Sequence, residues 1–96
     1  MYRIECELKP TEDSSRLLKS MSFFFPGTEF TVAKNSIIGE SDLVFFREAS
    51  AQQESSAVIE ELDSKGSVCI DKLAMEAHVI SLDDDFPLGC VRIVRE

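Results

Sequence analysis

Residues 2–8, YRIECEL, alternate apolar Tyr2, Ile4, Cys6 and Leu8 with polar Arg3, Glu5 and Glu7, which predicts a strand with one wet face. Pro10 ends it, and Thr11 is a good N-cap, with Glu12 and Asp13 in the first turn where the helix dipole favours negative charge. The helix runs to about Phe25 and is stopped by Pro26 and Gly27. TEFTVA and SIIGE then read as a hairpin turning at Lys34-Asn35, because asparagine tolerates positive φ. Ser41 and Asp42 offer a second N-cap for a helical stretch to Lys65, closed by Gly66. Its apolar residues fall in two blocks, 43–46 and 57–62, around the polar EASAQQESS. One helix packed weakly in its middle is the preferred reading, and two helices broken near Ser50 the alternative. SVCID is a short strand, KLAME a helical turn or bend, AHVISL a strand, DDDFPLG a loop and CVRIVRE the last strand. The resulting order is β-α-β-β-α-β-β-β. Two helices among six strands predict an α+β two-layer sandwich in one domain: a mostly antiparallel sheet with both helices on one face.

Composition narrows the functional classes. With 96 residues, one domain with one modest core is expected. No apolar run approaches the ~20 residues of a membrane span, so no membrane partner is expected. The opening MYRIECELKP lacks a basic leader and a long apolar run, so no signal peptide is expected either. Cys6, Cys69 and Cys90 are odd in number and form no CxxC pair; the expectation is buried, reduced thiols and a cytoplasmic location. The net charge of −8 counts against a general nucleic-acid binder, although it leaves room for a local basic patch.

The segments ECELKPTED, FFFPGTEF, IIGESDL and DDDFPLGCVRI follow one another in an order that resembles an archaeal family, uncharacterised protein family 201. The resemblance spans nearly the whole chain. It implies the fold of the ribosomal protein that binds 5S RNA, and family members carry an RNA-binding label on that basis. In the stretch that is basic in the family, FREASAQQESSAVIEE keeps Arg47 and Gln52-Gln53 but turns acidic at Glu54, Glu60 and Glu61. The next family segment reads IDKLAME here and keeps Lys72 and Ala74.

The triplet Phe23-Phe24-Phe25 raises a separate question. On a helix, Leu17, Leu18, Met21, Phe24 and Phe25 share an arc of roughly 120°, which makes them the core face. Phe23 points elsewhere, beside Arg16, Lys19 and Ser20. Three uses are open to it: packing under the chain after Pro26 or under a terminus, a protein interface such as a homodimer, or stacking on an RNA base with Arg16 and Lys19 on phosphate. Arg16, Lys19, Phe23, Arg47 and Lys72 are therefore the candidate binding residues.

Reactive chemistry is sparse. Asp83, Asp84 and Asp85 are adjacent rather than alternating around a glycine, so a solvated loop is expected and not a metal site. His78, the one histidine, shares the alternation of Ile80 and Leu82, which predicts a half-buried or hydrogen-bonded strand residue. A Cys-His nucleophile would need Cys69 or Cys90 beside it. No acid/base pair stands out, no glycine-rich phosphate loop occurs, and Gly27, Gly39, Gly66 and Gly89 all fit turns or strand ends. The expectation is a non-enzymatic protein with no cofactor and no small-molecule substrate.

Overall fold

The structure, a computed structural model, describes residues 1–10, 12–82 and 90–96. The predicted Thr11 cap, the Asp83–Asp85 loop and Gly89 lie outside the described residues. The elements run β1 Tyr2–Glu7, α1 Ser14–Phe24, β2 Thr31–Val32, β3 Ser36–Ser41, α2 Val44–Gln52, α3 Ser56–Lys65, β4 Ser67–Asp71, α4 Lys72–Glu76 and β5 Cys90–Arg95. The five strands form one open sheet in the order β2-β3-β1-β5-β4, with every pair antiparallel. The α+β class and the antiparallel sheet are as expected from the sequence.

One face of the sheet is apolar and the other polar, because the strands alternate. Ile4, Cys6, Ile37, Ile70, Val91 and Ile93 are buried and meet Leu17, Met21, Phe24, Phe46, Val58 and Leu62 from the helices. Arg3, Glu5, Glu40 and Arg92 line a shallow basin on the opposite face, where Arg3 pairs with Glu5 at 2.7 Å. Cys6 alone of the thiols is buried; Cys69 and Cys90 are half-buried on the open face, so the expectation of three buried thiols is corrected. Burial pushes the Cys6 thiol up to about 11, partly opposed by the Lys72 ammonium, which leaves it unreactive near neutrality.

Three assignments change. The stretch 42–65 is two helices, and the break lies at 53–55, with Glu54 in the left-handed region at φ 56°. Its polar character follows from this: the buried Ser50 hydroxyl donates to Ser55 O at 2.8 Å across the break, and Ser55 N–H donates back to Ser50 O at 2.8 Å. KLAME takes the helical one of its two readings, as the five-residue α4, so the described residues contain four helices and not two. AHVISL is not a strand. Residues 77–78 turn out of α4, and only Leu82 makes an isolated bridge, to Ile70.

Gly39 sits inside β3, not at a turn, and for a steric reason. A Cβ there would come within 2.6 Å and 2.8 Å of two carbons of the Phe30 ring. Gly39→Ala should therefore cost about 1–3 kcal/mol, as overpacking does, and urea unfolding should register it as a lower midpoint at unchanged slope.

Lys72 is likewise not at the surface, which corrects its place among the candidate binding residues. It is 2% exposed at the β4–α4 junction. Its ammonium donates to Glu7 O at 2.7 Å and to both Glu12 carboxylate oxygens at 3.1 Å. Glu12 also accepts from Lys9 N–H at 2.9 Å, so it lies in the turn before α1 instead of in its first turn.

Candidate docking surface

The surface is built on α1. Asp13 caps the helix by accepting from Ser15 N–H at 2.9 Å. Phe25 closes it, donating N–H to Met21 O at 2.9 Å, and Gly27 turns the chain with φ 79°. The 3.6-residue period then places Leu17, Met21, Phe24 and Phe25 in the core. Phe23 is left 43% exposed.

Phe23 is not bare, however. The His78 imidazole lies flat on it, with centroids 3.8 Å apart and planes 2° off parallel. Phe45 of α2 meets it edge-on at 6.1 Å, and Phe24 does so from below at 5.0 Å. Phe45 is itself 41% exposed. Three rings from three separate segments thus share one stretch of surface.

His78 reaches this position through the end of α4. His78 N–H donates to Met75 O at 3.0 Å and Val79 N–H to Ala74 O at 2.9 Å, the paired bonds of a Schellman motif. The motif puts His78 in the left-handed region at φ 60°, where glycine is the usual occupant. Gln53 holds the segment from the other side: its amide donates to His78 O at 2.8 Å and accepts from Ile80 N–H at 2.8 Å. Gln53→Leu should leave the Ile80 amide without a partner and cost about 1–3 kcal/mol, with faster amide exchange confined to residues near 78–80. The sequence offered no sign of this clamp, since Gln53 and His78 are far apart along the chain. Phe45 does carry a signal in the sequence. In the pair Phe45-Phe46, Phe46 stands three and four residues before the buried Ala49 and Ser50, whereas Phe45 matches Ala49 alone and falls to the edge of that face, so Phe45 is a second left-over ring.

The candidate cations divide. Arg16 and Lys19 border the rings and line a recess of about 290 Å³ with Ser20, Glu76 and His78. Arg16 pairs with Glu76 at 3.3 Å, and both are partly exposed. Lys19 is exposed and has no ion pair among the described residues. Arg47 is engaged within the protein: it donates to the Tyr2 hydroxyl at 2.8 Å and to Asp63 at 3.1 Å, and stands 5.6 Å from the Tyr2 ring centroid. Arg47 in turn holds the Asp63 carboxyl below its usual range. Lys72 is buried, as described above.

His78 is exposed and ring-stacked, not the half-buried strand residue expected. Cys69 and Cys90 face the open side of the sheet while His78 lies with the helices, so they do not meet it. Among the described residues, no three His, Cys, Asp or Glu side chains converge as a metal's ligands would, and no helix is long and apolar enough to cross a membrane.

Fold and surface together define a small antiparallel α+β protein that presents aromatic rings beside two cations. No family model and no curated protein matches the sequence. Solved structures do match the fold. An uncharacterized UPF0201 protein superposes with a TM-score of 0.83 at 19% identity, over 99% of this chain and 82% of that one. The UPF0201 protein from Methanococcus jannaschii gives 0.79 at 21% identity, over 99% and 87%. Mth689, a DUF54 protein from Methanothermobacter thermautotrophicus, gives 0.61 at 13% identity, over 96% and 79%.

Proposed function

We propose that the chain is an archaeal member of the UPF0201/DUF54 family and acts in the cytoplasm as a non-enzymatic protein-interaction module, docking through Phe23, Phe45 and His78. Family membership is supported by the collinear PTED, FPG, IGE and PLG segments together with the fold match. The docking role rests on one observation: Phe23 and Phe45 are each more than two-fifths exposed although they lie in ring contact. Aromatic side chains held in fixed orientation supply contact area at little entropic cost, and they are enriched in interface cores. A second copy of the chain is one candidate occupant.

The alternative, an accessory RNA-binding protein, draws less support. Arg47 and Lys72 are engaged inside the protein, which leaves Arg16 and Lys19 beside the rings. Two phosphate contacts would give a log-log salt slope of only about −1.4 on a single strand.

The test uses a photoreactive benzoylphenylalanine at position 45, with a control probe at position 32. Val32 is also exposed but belongs to the edge strand β2. In extract of the source cells, position 45 should cross-link one protein that position 32 does not, and Phe23→Glu should abolish that product. Identical patterns from both positions would remove the docking role.

A further inference from the structure

We infer that the recess between α1 and the end of α4 is an anion subsite for a carboxylate side chain of an acidic partner segment, whose neighbouring apolar side chain packs on Phe23 and Phe45. This rests on the docking reading above and adds the partner's chemistry to it. The chain carries 18 acidic against 10 basic residues, yet the recess holds Arg16 and Lys19 against the single carboxylate of Glu76. Arg16 spends one N–H on Glu76, at the long distance of 3.3 Å, and a guanidinium has five. The pair is solvent-exposed, so an incoming carboxylate can displace it at little loss. Lys19 adds three donors with no ion-pair partner among the described residues.

The pairing of cations elsewhere on the molecule favours a short acidic peptide over a polynucleotide. A nucleic acid needs a file of cations along its backbone, and here Arg3 is paired with Glu5, Arg47 with Asp63, and Lys72 with Glu12. One anion subsite next to an apolar surface suits side-chain recognition, in which the charge fixes register and the rings supply contact area. The recess, at about 290 Å³, has room for one side chain.

The experiment titrates the full-length chain with a labelled decapeptide of alternating glutamate and leucine, its glutamine analogue, and a uridylate decamer. The acidic peptide should bind, and the glutamine analogue should bind about tenfold more weakly. Arg16→Ala with Lys19→Ala should weaken the acidic peptide by a similar factor and leave the glutamine analogue unchanged. Glu76→Gln should tighten the acidic peptide, because it removes the competing carboxylate. Arg3→Ala should change nothing. All four positions are exposed or partly exposed, and circular dichroism would establish that the variants fold. Equal binding of both peptides, lost in Phe23→Ala, would overturn the anion subsite while leaving the docking surface in place. No binding of either peptide, or binding unaffected by Phe23→Ala, would overturn both. Tighter binding of the uridylate decamer than of the acidic peptide, lost in the double variant, would overturn the inference in favour of RNA.

Discussion

Phe24→Ala should destabilise the protein by about 3–5 kcal/mol, whereas Phe23→Ala, one residue earlier, should cost only about 1–2 kcal/mol. The asymmetry follows from burial. Phe24 has no exposed surface and packs against Phe46 with ring centroids 6.3 Å apart, so its removal opens a cavity in the core. Phe23 loses ring contacts with His78 and Phe45, but water already reaches it and no closed cavity forms. For a domain of this size the first change consumes much of a total stability of about 5–15 kcal/mol. Urea unfolding of the two variants side by side would measure the difference. Equal losses would mean that Phe23 is a core residue and that the docking surface has no basis in exposure.

Glu12→Ala should cost about 3 kcal/mol and Lys72→Met less, about 1–2 kcal/mol, although Glu12 is the more exposed of the two. Removing Glu12 strands an ammonium that is 2% exposed with only the Glu7 carbonyl to bind. Removing Lys72 leaves a carboxylate that keeps the Lys9 N–H and has 21% of its side chain in water. Partial burial works against the charged form of Glu12, but the Lys9 N–H bond and the Lys72 ammonium outweigh it and hold the carboxyl below its ordinary value of 4.5. Because the folded value is the lower one, the stabilisation is complete above pH 4.5, declines as pH falls below that, and is gone beneath the folded value. The stability gap between wild type and Glu12→Ala should therefore narrow on acidification from pH 4.5 downwards. A gap that stays constant to pH 3 would assign the loss to packing instead of charge.

The legible parts of the fold were those written in local periodicity. The alternation Tyr2-Ile4-Cys6-Leu8 marked β1, and the spacing of Leu17, Met21, Phe24 and Phe25 marked the buried side of α1. The same logic misled at residues 77–82. His78, Ile80 and Leu82 alternate like a strand, but Ile80 is buried by a segment leaving a helix and His78 by design of the Schellman turn points outward. Periodicity cannot distinguish the two over so short a run. The polar stretch 48–56 reads as weak in packing, and the alternative of two helices puts the break near Ser50, a few residues before its actual place at 53–55, because the bonds that define it join Ser50 to Ser55 and Gln53 to residue 78. Of the candidate site, Phe23, Arg16 and Lys19 were legible from helical geometry alone. Lys72 was misread because its partner, Glu12, is 60 residues away in sequence. The rings that complete the patch, Phe45 and His78, come from other elements, and only the tertiary fold brings them to Phe23.

Position 78 is nearly neutral for stability, although it decides the surface character around Phe23. A β-carbon in the left-handed region carries a penalty of about 1–2 kcal/mol that glycine would avoid. The stacked imidazole returns about 0.5–1.5 kcal/mol through its contact with Phe23, so the two terms nearly cancel. A glycine in its place would fold about as well and would leave Phe23 with one face stripped. Selection for stability alone has almost no purchase at this residue, and a laboratory screen for heat resistance would be free to discard the histidine and dismantle the patch without any sign in the melting curve.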